Sequence, residues 1–136
     1  MLHFTLNGKA RTGFFFNNIR DSESLRTEDR GVLESIWPLT VGKRIHYHRF
    51  RPHGTDSWQD DVTVIGTETL TIGDKSINTF VVRWNSSGDL NRWEGTMTVW
   101  YAPSLGWVAR IRYSDNVGDR SDADLVSYEL APASSQ

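Results

Sequence analysis

Leu90–Tyr113 reads LNRWEGTMTVWYAPSLGWVARIRY, and its alternation decides the fold. In the first arm Trp93, Gly95, Met97, Val99 and Tyr101 fall on one face. In the second, Trp107, Ala109, Ile111 and Tyr113 share a face, with Val108, Arg110 and Arg112 on the other. A half-buried strand requires this pattern, because successive side chains point to opposite faces. Ala102-Pro103-Ser104-Leu105-Gly106 joins the arms with a Pro that cannot donate to a ladder and a Gly suited to a turn. The stretch predicts a β-hairpin.

Working outward, the same signal recurs from Val41 onward. Lys43–Arg51 alternates Ile45 and Tyr47 against His46, His48 and Phe50. Trp58–Thr67 sets Val62 and Val64 against Ile65, and Thr67–Ile72 follows after Gly66, read as a bulge or bend. Gly73-Asp74 turns the chain into Lys75–Trp84, where Phe80, Val82 and Trp84 share a face. Asn85-Ser86-Ser87-Gly88 is read as the next turn, although its first three residues also match the N-glycosylation pattern. Asn116–Asp119 turns once more into a strand at about Asp122–Leu130.

Before this region, Phe4 with Leu6 and the run Phe14-Phe15-Phe16 suit short strands within residues 1–20. Residues 21–36 hold one helical segment. Thr27 can cap it, Glu28 and Asp29 favour its positive end, and Val32, Leu33 and Ile36 form an apolar stripe. Pro38 stops the helix, because the residue before a proline is biased away from helical angles. The helix is expected over Thr27–Ile36, packed on the sheet, and residues 131–136 are expected to be a frayed tail.

The fold expected is therefore mainly β. An antiparallel meander of about seven strands curls as a half-barrel or barrel, with one short helix, in a single domain over residues 1–136. No helices separate the strands, which excludes parallel βαβ units.

The 136 residues carry 15 Lys and Arg against 17 Asp and Glu, for a net charge of −2. That balance predicts no general attraction to nucleic acid or anionic lipid. There is no Cys, which removes disulfides, thiol catalysis and Cys-ligated zinc. No run approaches the ~20 apolar residues of a membrane span, and the N-terminus has no signal-peptide pattern.

His46-Tyr47-His48 puts two imidazoles on one strand face, as metal ligation requires, with His53, Asp60, Asp61 or Glu94 as a third ligand. Jelly-roll metal enzymes follow such a pair with a Glu and a second, distant His. Neither occurs here, and Arg44, Arg49 and Arg51 oppose a cation. The His pair is read as solvated or groove-lining. Asp60 and Asp61 are adjacent on a strand and face opposite sides, so they cannot flank a bond as an acid/base pair. Asp60 falls on the side of Trp58, Val62 and Val64 and is expected to be a charge beside an Arg. No nucleophile elbow or glycine-rich phosphate loop is present. Arg83-Trp84, Arg92-Trp93 and Arg110-Ile111-Arg112-Tyr113 interleave cations with aromatics, as single-strand binders do. Outward Arg opposite buried aromatics is the reading adopted.

Four segments occur in an order with a familiar look: Ile36-Trp37-Pro38-Leu39-Thr40-Val41-Gly42-Lys43, Val64-Ile65-Gly66-Thr67-Glu68, Thr71-Ile72-Gly73 before Ile77-Asn78-Thr79-Phe80, and Trp100-Tyr101-Ala102-Pro103-Ser104-Leu105-Gly106-Trp107-Val108. Over about two thirds of the chain this resembles a bacterial group of uncharacterised envelope-associated domains, the DUF3108 and lipoprotein-carrier (LolA/LolB-like) half-barrels. The resemblance implies a curved antiparallel sheet in a periplasmic or secreted protein, in a group with no assigned enzyme activity. The chain departs from lipoprotein carriers in having one candidate helix and no lipobox Cys.

The expectation is a non-catalytic binding module of the bacterial envelope that needs no cofactor. It would present an aromatic-lined concave face to an apolar small molecule, a lipid or an extended peptide, with no nucleic-acid partner. Its expected ligand-binding residues are Trp58, Trp84, Trp93, Met97, Tyr101 and Trp107, with His46 and His48 at the rim. Two alternatives stand beside it. One is a metal-assisted hydrolase or isomerase centred on His46 and His48; the other is a protein-interaction domain of a longer chain using Phe14–Phe16 or an edge strand.

Overall fold

In the computed structural model, which describes residues 2–6, 9–12, 27–50 and 56–128, the chain order is β1 (Leu2–Leu6), β2 (Lys9–Thr12), α1 (Thr27–Glu34), β3 (Arg44–Phe50), β4 (Ser57–Ile72), β5 (Lys75–Gly88), β6 (Glu94–Ala102), β7 (Trp107–Asp115) and β8 (Arg120–Tyr128). One antiparallel sheet takes the order β2-β1-β8-β7-β6-β5-β4-β3. Strands β2 and β3 end the sheet at opposite edges, so it is open rather than a closed barrel.

The expected meander is present, with six strands from β3 to β8 where about seven were anticipated. The difference lies at Ile65 and Gly66. They form a bulge: Val64 pairs with Val82 and Gly66 with Val81, leaving Ile65 as the extra residue. Thr- and Val-rich sequence keeps the ladder going on either side, so Trp58–Thr67 and Thr67–Ile72 are one strand. Asn85–Gly88 is also strand rather than turn, because it pairs with Trp58–Asp61 on one side and Glu94–Thr96 on the other. The connection falls instead between Gly88 and Glu94.

A second bulge corrects the alternation expected in β7. Val108 pairs with Tyr101 and Arg110 with Trp100, so Val108 and Ala109 are both buried and Trp107 comes opposite Ala102. The turns behave as their sequences require. Gly73, at the first central position of the two-residue β4–β5 turn, has φ 62°. Gly106, also at positive φ, closes the Pro103–Gly106 turn, in which Leu105 N–H donates to Ala102 O at 3.0 Å.

Helix α1 stops two residues before the expected Ile36. Its last turn tightens, with Ile36 N–H bonded to Leu33 O and Trp37 N–H to Glu34 O, both at 3.2 Å. Ile36 still enters the core, and Val32, Leu33 and Leu39 pack beside it.

That core cluster contains Tyr47, Val62, Val64, Val82, Trp84, Val99, Val108 and Ile111. Full burial of a Val side chain stabilises by about 1.5–3 kcal/mol, and Val62, Val64, Val82 and Val99 are all essentially inaccessible. A second cluster gathers Leu70, Ile72, Ile77, Ala102, Ala109 and Leu125. Strand β5 serves both: Val82 and Trp84 enter the first cluster, whereas Ile77, of opposite parity, enters the second. The curl is visible where Lys75 Nζ lies 4.5 Å from the centre of the Tyr128 ring, although β5 and β8 are separated by two strands. Phe14–Phe16, His53 and residues 131–136 lie outside the described residues.

Candidate functional site

The expected ligand-binding residues divide between core and rim. Trp84 is core, and its Nε1–H donates to the Tyr47 hydroxyl at 2.9 Å. Met97, Tyr101 and Trp107 are half-buried and pack on that cluster, and the Trp37 ring meets Tyr101 edge-on at 4.9 Å. Trp58 lies under the Arg49 guanidinium, 5.3 Å from its carbon to the ring centre. Trp93 closes the sheet near Gly95, so closely that a Cβ on Gly95 would stand 2.7 Å from the indole. Beside Trp84 on this inner face the buried Val62, Val82 and Val99 belong to the same core cluster.

Inside the same face is a buried polar chain. Tyr47, Asp60 and Ser86 are direct cross-strand partners on β3, β4 and β5, hence on one face. Asp60 is 1% exposed and receives both Arg49 nitrogens, Nη2 at 3.2 Å, together with the Ser86 hydroxyl. The Tyr47 phenol faces Asp60 across the β3–β4 ladder. Burial, then the Asp60 charge, pushes the Tyr47 phenol well above its usual range. Asp60 is thus a charge beside an Arg, as expected, but a fully enclosed one. Each polar group in it has a partner, which is the condition for burying a charge.

Asp61 points the opposite way. Its carboxylate lies 3.2 Å from His46 Nδ1 and 3.3 Å from Arg44 Nη2. The His46 and His48 rings stand 5.6 Å apart, and the His48 ring stacks on Phe50 at 6.3 Å. Among the described residues no three His, Asp or Glu side chains converge as metal ligands.

The outer face of the sheet carries a feature that sequence reading did not assemble. Arg44, Thr63, Arg83, Thr98, Arg112 and Asp122 are consecutive cross-strand partners from β3 to β8, one row on one face. Beside it runs Gly66, Val81, Trp100, Arg110 and Asp124. Between these rows lies a groove of about 420 Å³, with Thr67, Glu68, Arg83, Thr98, Trp100 and Arg112 among its lining. That volume is within the ~300–1,000 Å³ of small-molecule sites. A second groove of about 660 Å³ follows the β4–β5 arm past Thr69, Asn78 and Phe80 to Pro103. None of the eight expected residues lines either groove.

The wall of the first groove is fixed. Trp100 Nε1–H donates to Glu68, and the Arg110 guanidinium lies 5.4 Å from the Trp100 ring centre. Arg110 and Arg112 both bond Asp124, each at 2.9 Å. Arg83, exposed on the floor, has no carboxylate or hydrogen-bond partner among the described residues.

No family model, curated protein or solved structure matches the chain.

The signal for Arg83 was present in the interleaved Arg83-Trp84 pair. Its outward-Arg reading describes the arrangement, with Trp84 buried and Arg83 exposed. What the pair alone does not carry is the row, which exists only once strands are in register. Among the described residues, no helix is long and apolar enough to cross a membrane.

Proposed function

We propose that the chain is a non-catalytic binding module whose ligand surface is the outer groove at Arg83, Thr98 and Trp100. The observation that carries this is the contrast within one row. Arg44 and Arg112 each hold a carboxylate, while Arg83 pairs with none among the described residues. A pinned aromatic wall beside a cation with no partner among the described residues is a preorganised surface, and preorganisation reduces the ordering cost of binding. A periplasmic or secreted setting belongs to the same proposal and is supported by the lipoprotein-carrier resemblance.

A fragment screen followed by backbone and indole amide NMR tests the reading. Ligands are expected to shift Arg83, Thr98 and the Trp100 indole. Shifts confined to other surfaces, or none across the library, would end it.

Strand β3 supports a second reading, in which an extended peptide adds to the sheet. It ends the sheet, and among the described residues it pairs only with β4. In that case titration with peptides would shift the Arg44–Phe50 amides instead.

A further inference from the structure

The outer groove constrains the chemistry of what it would hold. Neighbouring strands lie about 4.7–4.9 Å apart, so Arg44, Arg83 and Arg112, on alternate strands, recur roughly every 9–10 Å. Only the middle member of that trio lacks a carboxylate among the described residues: Arg44 holds Asp61, and Arg112 holds Asp124. The site therefore asks for one anionic group, not a string of them. Around it stand the Thr98 hydroxyl and the Glu68 carboxylate. These need a partner that both donates and accepts hydrogen bonds.

Three ligand classes fit poorly. A nucleic-acid strand carries a charge on every unit and would meet Asp61, Glu68, Asp122 and Asp124 on the same face. An apolar molecule would desolvate Arg83 and Glu68 without pairing them. An extended peptide seeks unpaired backbone groups, and the strands under this groove already pair on both sides.

We infer that the groove takes a carboxylated sugar, a pyranose bearing one acidic group. Its carboxylate accepts from the Arg83 guanidinium, a pairing that is charge-assisted and suited to two parallel bonds. Its hydroxyls donate to Glu68 and exchange hydrogen bonds with Thr98, and its ring edge rests on the Trp100 wall. This inference rests on the binding-module reading above and names the ligand class for that groove.

The test titrates the whole chain with the methyl glycosides of galacturonate, glucuronate and mannuronate and with sialyllactose, by calorimetry and amide NMR. The methyl esters of the same sugars serve as neutral controls. Binding of at least one acid at the groove is expected, weakened about 10- to 100-fold by esterification or by Arg83→Gln. Arg83 is exposed and has no partner among the described residues, so the variant is expected to keep the wild-type Tm. Esters binding as tightly as acids, or an unchanged affinity in R83Q, would overturn the acidic class and leave the groove reading standing. Tighter binding of oligothymidylate or an acidic peptide at the groove would overturn the sugar. If no acid in the panel binds while fragments still map to the groove, the sugar class falls alone. If fragments fail as well, both readings fall.

Discussion

Trp84 and Tyr47 meet through a 2.9 Å hydrogen bond that runs from the indole N–H on β5 to the phenol on β3, over the strand between them. The phenol in turn is the cross-strand neighbour of Asp60, so a core indole, a phenol and a buried carboxylate lie side by side on one face.

Tyr47→Phe leaves the Trp84 N–H without its acceptor in the core. A loss of about 1–3 kcal/mol is expected in urea unfolding, with a shifted Trp emission band. A variant as stable as the parent would show that the bond contributes nothing net.

Arg49 neutralises Asp60, which is 1% exposed, while the Arg49 side chain is 33% exposed. Arg49→Met therefore strands a buried charge. The expected cost is about 2–4 kcal/mol, reduced from the ~3–5 of a fully buried pair because Arg49 is partly solvated. Adding Asp60→Asn should recover part of it, and a double-mutant cycle with purely additive losses would refute the coupling.

Gly95 is buried under Trp93, where a new Cβ would meet the indole at 2.7 and 2.8 Å. Gly95→Ala is expected to displace that ring and cost about 1–3 kcal/mol, read as a near-UV dichroism change with a lower Tm. An unaltered near-UV spectrum would contradict the contact.

Tyr113 has its phenol pushed up to about 12 from 10.0, first by burial and then by its hydrogen bond to Asp115 at 2.8 Å. A raised pKa means that the neutral form is favoured in the fold. Its contribution is complete below pH 10 and is lost as pH rises toward 12. Tyrosinate absorbance should appear late for this residue, and Tyr113→Phe should flatten the stability loss in that window. Asp115 works in the opposite sense. Partial burial raises its pKa, but hydrogen bonds from Tyr113, the Asp119 and Val117 amides and Trp93 outweigh it, so its contribution disappears as pH falls below 3.8.

The fold was legible because its determinants are local. Val62 and Val64, or Phe80, Val82 and Trp84, declare a strand and a face from spacing alone. Bulges are not local in that sense. Ile65 is an extra residue only relative to Val81 and Val82, and Ala109 only relative to Trp100 and Tyr101, so both corrections appear with pairing. Asp60 follows the same logic. Its face could be read, but its enclosure depends on Arg49, which is brought over it by the β3–β4 register. The outer row was least legible, since Arg44, Arg83 and Arg112 are dispersed through the sequence and become neighbours only in register.

The bulge at Ile65 separates two properties that usually travel together. Val64 pairs with Val82 and Gly66 with Val81, so removing Ile65 would leave every remaining partner in register. Bulges bend the strand that contains them, and the tip beyond this one carries Lys75 to Tyr128. A one-residue deletion at position 65 should thus preserve connectivity while straightening the sheet. It would detach the Leu70, Ile72 and Ile77 tip from Leu125 and reshape the groove at Gly66. Curvature in this molecule is encoded by a residue that makes no cross-strand pair.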